Sequence, residues 1–396
     1  IVRDLIAEAE PDVVLNATGF AVSRPGAART ETPFDAVDAP VFQVVFAGGT
    51  EDQWRERTNG LSARDIAMNV ALPEVDGRIL SRAVSFKGNA RWHAATQCWI
   101  TEYTPVPDRL AYVAELAARW ARLRRTAPPD KRVAVVLANY PNRDGRLANG
   151  VGLDTPAGVA NAVERLAAEG YDVGAAPRDG RGLMAVLTAG PTNAPDNARR
   201  SGGAMLSLDA YRAFFDSLPE AARTRVIERW GAPEADPFVA GNAFVLPAHR
   251  FGNLVIAVQP ARGYNIDPVE SYHDPDLPPP HGYLAFYAWL RGAGGDGEGF
   301  DAHALIHFGK HGNLEWLPGK ALALASDCFP EAALGPLPHL YPFIVNDPGE
   351  GSQAKRRTAA VVIDHLTPPM SRAETYGPLR ELEMLADEYY EAASLD

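Results

Sequence analysis

Short apolar runs closed by glycine or polar residues recur along the chain and alternate with stretches of helical period. Val13, Val14 and Leu15, and the run over residues 41–46, read as buried strands, because a strand covered on both faces shows a continuous apolar run. Over residues 108–125, Leu110, Val113, Leu116, Ala117, Trp120 and Leu123 fall at helical spacing. Pro128 and Pro129 then break the chain. A boundary is expected there, with one α/β unit over residues 1–128 and a second over residues 129–396.

In the second unit, residues 131–137 form a β-branched apolar run that reads as a strand, and residues 155–170 a helix with glycine at its end. Residues 208–230 hold two helical stretches split by Pro219. Residues 244–246 and 254–258 read as strands in a hairpin or as close neighbours, and 282–291 as an aromatic-rich helix. Further strands are expected over 302–308, 341–345 and 359–363, and a helix from 378 onward. This alternation predicts two doubly wound, mostly parallel α/β units with helices on both faces. Residues 275–280 and 292–299, rich in proline or glycine, read as loops, and no internal repeat is visible.

Composition narrows the class. With 46% hydrophobic and 22% charged residues, the 396-residue chain is globular and long enough for two or three domains. Two cysteines, Cys98 and Cys328, are too few for a disulfide framework and fit a reducing cytoplasm, so the expected location is cytoplasmic. No apolar run is long enough to span a bilayer, and no signal peptide opens the chain. A start at Ile1, without Met, reads as a piece cut from something longer. The net charge of −12 argues against a nucleic-acid partner, whose phosphates call for a basic surface. The one basic cluster, Lys355, Arg356 and Arg357, is short, and taken alone is a solvated helix face.

The unusual chemistry lies in the last third. Five of the nine histidines fall between His273 and His311, and His339 and His365 follow. On a strand over 302–308, His303, Leu305 and His307 share one face, since side chains alternate with period two. Two imidazoles on one face of a central strand cost free energy unless paired or ligated. Gly309 and Gly312 then allow a tight turn at the strand's carboxyl end, where open α/β sheets bind ligands. That turn carries Lys310 and His311, and Glu315 follows just before Trp316.

A lone histidine is more often a satisfied core group. His307, His311 and Glu315 together, beside two glycines, point instead to function. Borderline-soft metal ions favour imidazole with carboxylate, and neutral His and Glu are the usual proton acceptors near pH 7. No zinc-protease HExxH occurs. Gly319-Lys320 is not a phosphate loop, because Ala321 stands where Ser or Thr would bind magnesium. With no ATP site found along the chain, any ATP dependence must come from a partner.

A second strand end is expected at Asn346-Asp347, followed by a Pro-Gly turn presenting Glu350 and a helix-like stretch carrying Lys355 to Arg357. Taken alone this is an ordinary polar turn. Its carboxylate again follows a strand's carboxyl end, so Glu315 and Glu350 are expected to face one crevice, with His307 and His311 near its rim. Arg262, Tyr264, His273 and His281 sit among prolines and glycines, and Arg262 can pair with a substrate carboxylate. Tyr283, Phe286, Tyr287 and Trp289 fall at helical spacing and read as core.

Five blocks carry a resemblance: ANYPNRDGRLANGVGLDTP (138–156), VQPARGYNIDP (258–268), YHDPDLPPPHGYLAFYAWLR (272–291), HFGKHGNLEWLPGKALALA (307–325) and PHLYPFIVNDPGEGSQAKRRTAAVVIDHLTPP (338–369). They are long and specific, and nearly the whole chain resembles the large subunits of the CobN/magnesium chelatase family. The magnesium type shares HFG-HG, the Leu-Glu pair, PGK and the KRR stretch. It carries Thr where Lys310 stands, Phe where Trp316 stands and a different turn around Glu350, so the chain resembles the cobalt type.

That resemblance implies a large subunit that binds macrocycle and metal, with two smaller AAA+ type ATPase partner subunits that use ATP with Mg2+. It implies cobaltochelatase activity, the insertion of Co2+ into hydrogenobyrinic acid a,c-diamide in aerobic cobalamin biosynthesis, by a subunit several times longer than this chain. The glutamates matching Glu315 and Glu350 are associated with the macrocycle cavity. The expected catalytic residues are therefore Glu315, Glu350 and His311, with His307, His311 and Glu315 at the metal. Arg262, Lys310, His281, Lys355, Arg356 and Arg357 are the expected substrate contacts, a locally basic wall for a corrinoid bearing carboxylates. Two other readings stay open: a magnesium chelatase large subunit acting on protoporphyrin, and a non-catalytic tetrapyrrole-binding module.

Overall fold

Strand residues that alternate between two apolar covers build the larger part of the molecule. The structure, a computed structural model, describes residues 1–26, 28, 30–139, 147–148, 153–194, 200–263, 274–295, 297–309, 312–345, 348–366, 381–382, 384–386 and 388–389. The larger sheet has six strands: β5 (Val133–Leu137), β9 (Ala248–Phe251), β10 (Leu254–Val258), β11 (Ala304–Phe308), β12 (His339–Val345) and β13 (Val361–Leu366). They lie in the order β13-β12-β11-β5-β10-β9, and every neighbouring pair is parallel except β9 with β10.

Period two divides each central strand between two cores. Ala134, Val136, Val255, Ala257 and Leu305 face α8 (Leu208–Asp216), α9 (Glu220–Trp230), α10 (His281–Leu290) and α11 (Phe329–Leu334). Val133, Val135, Leu137, Leu254, Ile256 and Val258 face α6 (Thr155–Ala168) and α7 (Gly180–Ala189). Every residue of α10 is buried, as an aromatic-rich helix without a polar face requires. Each fully buried Val, Leu or Phe in these layers stabilises by about 1.5–3 kcal/mol relative to exposure. Mixed α/β architecture with parallel sheets thus agrees with the expectation from the sequence.

The smaller sheet has the order β1 (Val14–Asn16), β2 (Val41–Ala47), β3 (Ile79–His93) and β4 (Cys98–Pro105). The first three are parallel, and β4 returns antiparallel along β3. The hydrophobic pattern did not reveal the β3–β4 ribbon, because the outer half of β3 and nearly all of β4 lack a buried face. Around this sheet stand α1 (Val2–Ala9), α2 (Glu51–Glu56), α3 (Ala63–Ile66), α4 (Leu72–Val75) and α5 (Pro107–Arg125), with a π-helical turn over Ala67–Ala71. Thr50 caps α2 by accepting the Gln53 N–H, and Pro107 opens α5 where a missing N–H costs nothing.

Two expectations need correction. Residues 244–246 do not pair with 254–258. They lie in β8 (Ala243–Leu246), which joins β6 (Ala204–Ser207) and β7 (Val239–Ala240) in a small antiparallel sheet. The partner of β10 is β9, across a tight turn that Gly252 makes at φ +58°. The segment with Glu350 is no separate turn. It is the start of α12 (Pro348–Thr358), since proline is tolerated in the first helical turn.

Several buried contacts join the two sheets. Glu331 of α11 accepts from Arg82 of β3 at 2.6 Å and from Arg109 of α5 at 2.8 Å. Leu322 to Ala325 and Cys328 pack into the core of the smaller sheet with Val45, Trp54 and Phe86. Trp54 Nε1 donates to the Ala323 carbonyl at 2.8 Å, and Lys320 Nζ to the carbonyls of Arg55 and Arg57, both at 2.8 Å. Among the described residues no helix is long and apolar enough to cross a membrane.

Candidate functional site

Beyond the carboxyl end of β11 the backbone must pass very close to its neighbour. Gly309 has φ +143°, and a Cβ there would lie 2.6 Å from the Ala138 Cβ. Past this point a 3-10 turn over Leu314–Trp316 places Glu315 fully out of solvent. Tyr341 of β12 donates its hydroxyl to Glu315 Oε1 at 2.9 Å and accepts the Gly312 N–H. Burial and the adjacent carboxylate push the Tyr341 phenol well above its usual range, so it stays a donor.

Arg357 of α12 fastens the same turn from behind. Its guanidinium donates to the carbonyls of Glu315, Leu317 (2.8 Å) and Lys320 (3.0 Å). Burial lowers it to about 10, and it remains a cation at neutral pH. Asn313 is held as firmly: it accepts from the Tyr283 hydroxyl at 2.8 Å, and its N–H donates to Gln259 Oε1 at 3.2 Å.

Behind Glu315 runs a buried chain whose donor directions can be worked out. Thr358 Oγ1 donates to the Ala354 carbonyl at 2.7 Å, so it accepts from His339 Nδ1 at 2.9 Å. His339 Nε2 is then the acceptor for His307 Nδ1 at 2.8 Å, and His307 Nε2 accepts from the Tyr287 hydroxyl at 3.1 Å. Burial drives both imidazoles to the neutral form, His307 far below its ordinary value and His339 to about 3. Each therefore carries its proton on Nδ1, and neither ring nitrogen of His307 is spare. His307, one of the two imidazoles expected to need partners, thus finds them on β12 and α10. His303, the other, lies one residue before β11, accepts the Arg132 N–H at 3.2 Å, and is lowered to about 4 by burial together with Arg122 and Arg132.

The remaining expected residues fall in different surroundings. Glu350 is half-buried in the first turn of α12, where a carboxylate complements the helix dipole. It follows β12 as Glu315 follows β11, and the two strands are parallel neighbours. Arg262 is buried and donates to the Asp274 carbonyl. His281 opens α10 with Nε2 on the Gly231 carbonyl (2.9 Å) and Nδ1 accepting from Tyr211 (2.7 Å), so its ring holds α8 and α10 together. Arg356 pairs with Glu74 through two bonds of 3.0 and 2.9 Å. Lys355 is half-buried within α12, and its side chain makes no ion pair or hydrogen bond with a described residue. Lys310, His311, Tyr264, His273, Asn346 and Asp347 lie outside the described residues.

Among the described residues no three His, Cys, Asp or Glu side chains converge as a metal-binding group. The sequence reading missed Tyr341, Tyr287, Asn313, Gln259, His339 and Thr358 as parts of this cluster. Helical spacing puts Tyr287 in the core, which is where it lies, but its hydroxyl contact depends on a helix-to-sheet register that no local pattern reports.

A family model described as CobN/Magnesium Chelatase matches residues 1–396. The CobN subunit of an aerobic cobaltochelatase from Sinorhizobium sp is 59% identical over 99% of the chain and 30% of its own length. That of Pseudomonas aeruginosa is 50% identical over 100% of the chain and 31% of its own. The H-type subunit of magnesium chelatase from Chlorobaculum parvum is 33% identical over 99% and 30%. The solved catalytic subunit of cobaltochelatase from Mycobacterium tuberculosis superimposes with a TM-score of 0.79 at 42% identity, covering 100% of this chain and 33% of that one. The chain thus spans about a third of the length of the relatives it matches.

Proposed function

Because the chain belongs to the CobN/magnesium chelatase family, we propose that it supplies the macrocycle- and metal-handling part of an ATP-dependent cobaltochelatase. The substrate metal is Co2+, and the macrocycle is hydrogenobyrinic acid a,c-diamide of aerobic cobalamin biosynthesis. ATP with Mg2+ is hydrolysed by AAA+ partner subunits. The carrying observation is Glu315: a carboxylate fully removed from solvent, held by the Tyr341 hydroxyl and fixed by its own backbone at the carboxyl end of a parallel sheet. Identities of 59% and 50% to cobaltochelatase subunits, against 33% to a magnesium-chelatase subunit, favour cobalt.

Insertion replaces the one ring N–H of a corrin by a bond to the metal, so a ring proton must leave as the ion sheds water. Glu315 and Glu350 are assigned as the acids that take up this proton and pass it on, and Glu315 with His311 as transient contacts for the ion. An incomplete ligand set suits this role, because a closed cage would retain the metal. His307 is reassigned from metal contact to positioning, since both its ring nitrogens are bonded to protein. Its chain to His339 and Thr358 ties β11, β12 and α12 together, and with them the segments bearing the two acids. Lys355, Lys310 and Arg262 are the proposed contacts for substrate carboxylates. Arg356 and Arg357 act instead through protein, on Glu74 and on the Glu315 turn.

The test uses the full-length subunit with its partners and ATP, supplied with each metal–macrocycle pair in turn. Cobalt insertion into the corrinoid is expected. Insertion of magnesium into a porphyrin, without cobalt activity, would replace this reading by the magnesium one. Corrinoid binding without insertion of either metal would leave a binding module.

A further inference from the structure

The smaller sheet ends in an uncovered ribbon. Its edge strand is β4, where Ile100 alone is even partly buried, and no described strand pairs with its outer side. On β4, Trp99, Thr101 and Tyr103 share one face. Tyr103 meets Phe46 at 6.1 Å between ring centroids, Lys87 Nζ lies 5.4 Å over the Tyr103 ring, and Trp99 meets Trp92 edge-on at 5.8 Å. Lys87 and Trp92 are five residues apart on β3, which regular alternation would place on opposite faces. The register slips by one residue between Asn89 and Arg91, and this bulge returns Trp92 to the side of Tyr103.

The result is a file of four aromatic side chains, Phe46, Tyr103, Trp99 and Trp92, exposed by 47, 49, 53 and 52%. In the same unit α1 buries none of its residues, with Val2 and Leu5 open to solvent. Aromatic rings aligned beside an unpaired strand edge have the composition of an interface and are costly to leave wet.

We propose that this ribbon is a docking surface for the rest of the subunit's own polypeptide, which adds a strand to β4 and covers the aromatic file. The relatives set the occupant: the chain covers 30%, 31% and 33% of the proteins it matches, so some two thirds of such a subunit lies elsewhere on the same chain. A tethered segment competes at an effective concentration of order millimolar, ahead of a separate protein. The inference rests on family membership and stands apart from the chemistry assigned to Glu315.

A thiol on the aromatic face gives the readout: Thr101 is exposed between Trp99 and Tyr103, whereas Cys98, one residue from Trp99, faces the other side of β4. Cys328 is buried in the core. In the full-length Thr101→Cys subunit without partners, a short iodoacetamide pulse with peptide mapping should leave the thiol at position 101 unmodified. Adding Trp92→Ser and Trp99→Ser should raise labelling at position 101 at least tenfold, while Cys328 stays unlabelled and so reports an intact fold. Labelling at position 101 at the rate of a free thiol, with Trp92 and Trp99 in place, overturns the proposal. Protection that appears only on adding the ATPase subunits overturns it in favour of the partner, and protection that grows with protein concentration overturns it in favour of a second copy.

Discussion

The six-stranded sheet and the four-stranded sheet differ in cover, and the difference sorts the chemistry. In the larger sheet the central strands β5 and β10 are sealed on both faces and β11 lies beside them, so each polar side chain there must find a protein partner or cost free energy. The Tyr287–His307–His339–Thr358 chain and the Tyr341–Glu315 bond are the outcome, and they give the site rigidity at the strand ends. In the smaller sheet the inner half of β3 is sealed, while the outer half and β4 present side chains with no cover. Rigid burial suits the role proposed for Glu315, an acid that keeps its place while a macrocycle enters. An open aromatic edge suits association.

The largest effect expected from breaking this arrangement is catalytic. Glu315→Gln keeps the acceptor for Tyr341 and removes the base, so insertion by the full-length subunit should fall about 10²–10⁴-fold with macrocycle affinity little changed. Glu350→Gln should act in the same direction. Full turnover in either variant, with saturating partners and ATP, removes that acid from the mechanism.

Next comes the join between the sheets. Glu331→Ala leaves the buried Arg82 and Arg109 without their shared carboxylate, although Arg109 retains Asp108 at 3.0 Å. Loss of one partner from a buried ion pair costs about 3–5 kcal/mol. Urea unfolding should show a loss of that order; a change below about 1 kcal/mol would mean that water reaches the triad.

A third prediction concerns pH. His307 and His339 are held neutral in the fold, His339 with a value of about 3, whereas an unfolded imidazole titrates near 6.5. Between those values the unfolded chain binds more protons, so stability is full above about pH 6.5 and falls as pH drops, by up to about 1.4 kcal/mol per unit for each imidazole. His249, His281 and His303 are lowered in the same direction by burial. Asp76, whose burial is outweighed by the Val22 and Ser23 amides, is lowered and contributes only at still lower pH. Urea midpoints should drop steadily from pH 7 to pH 5, and a flat profile would show that these rings are solvated.

How far the sequence could foresee this follows from the same contrast. Strands sealed on both faces announce themselves as apolar runs, as residues 133–137 and 254–258 do, and Gly309 with Gly312 marked the turn before Glu315. The partners of Glu315 and His307 were not legible. Tyr341 and His339 stand on a neighbouring strand, and only the pairing of Leu305 with His339 brings them alongside. The β3–β4 ribbon was missed because an exposed strand with a bulge has no steady period to read.

The smallest effect separates two tryptophans of the smaller sheet's unit, Trp54 on α2 and Trp99 on β4. Trp54 is buried, packs its ring tilted against Phe86 at 4.9 Å between centroids and donates to the Ala323 carbonyl, so Trp54→Ala should cost about 3–5 kcal/mol. Trp99 has a partner in Trp92 but lies half in water, and a cross-strand aromatic pair contributes only about 0.5–1.5 kcal/mol. Trp99→Ala in the 396-residue chain should therefore lower the free energy of urea unfolding by no more than about 1.5 kcal/mol. In the full-length subunit a covered Trp99 would behave more like Trp54, and the same substitution should cost visibly more. Equal small losses in both forms would mean that nothing covers the ribbon, and the contrast between the sheets would then persist in the whole subunit.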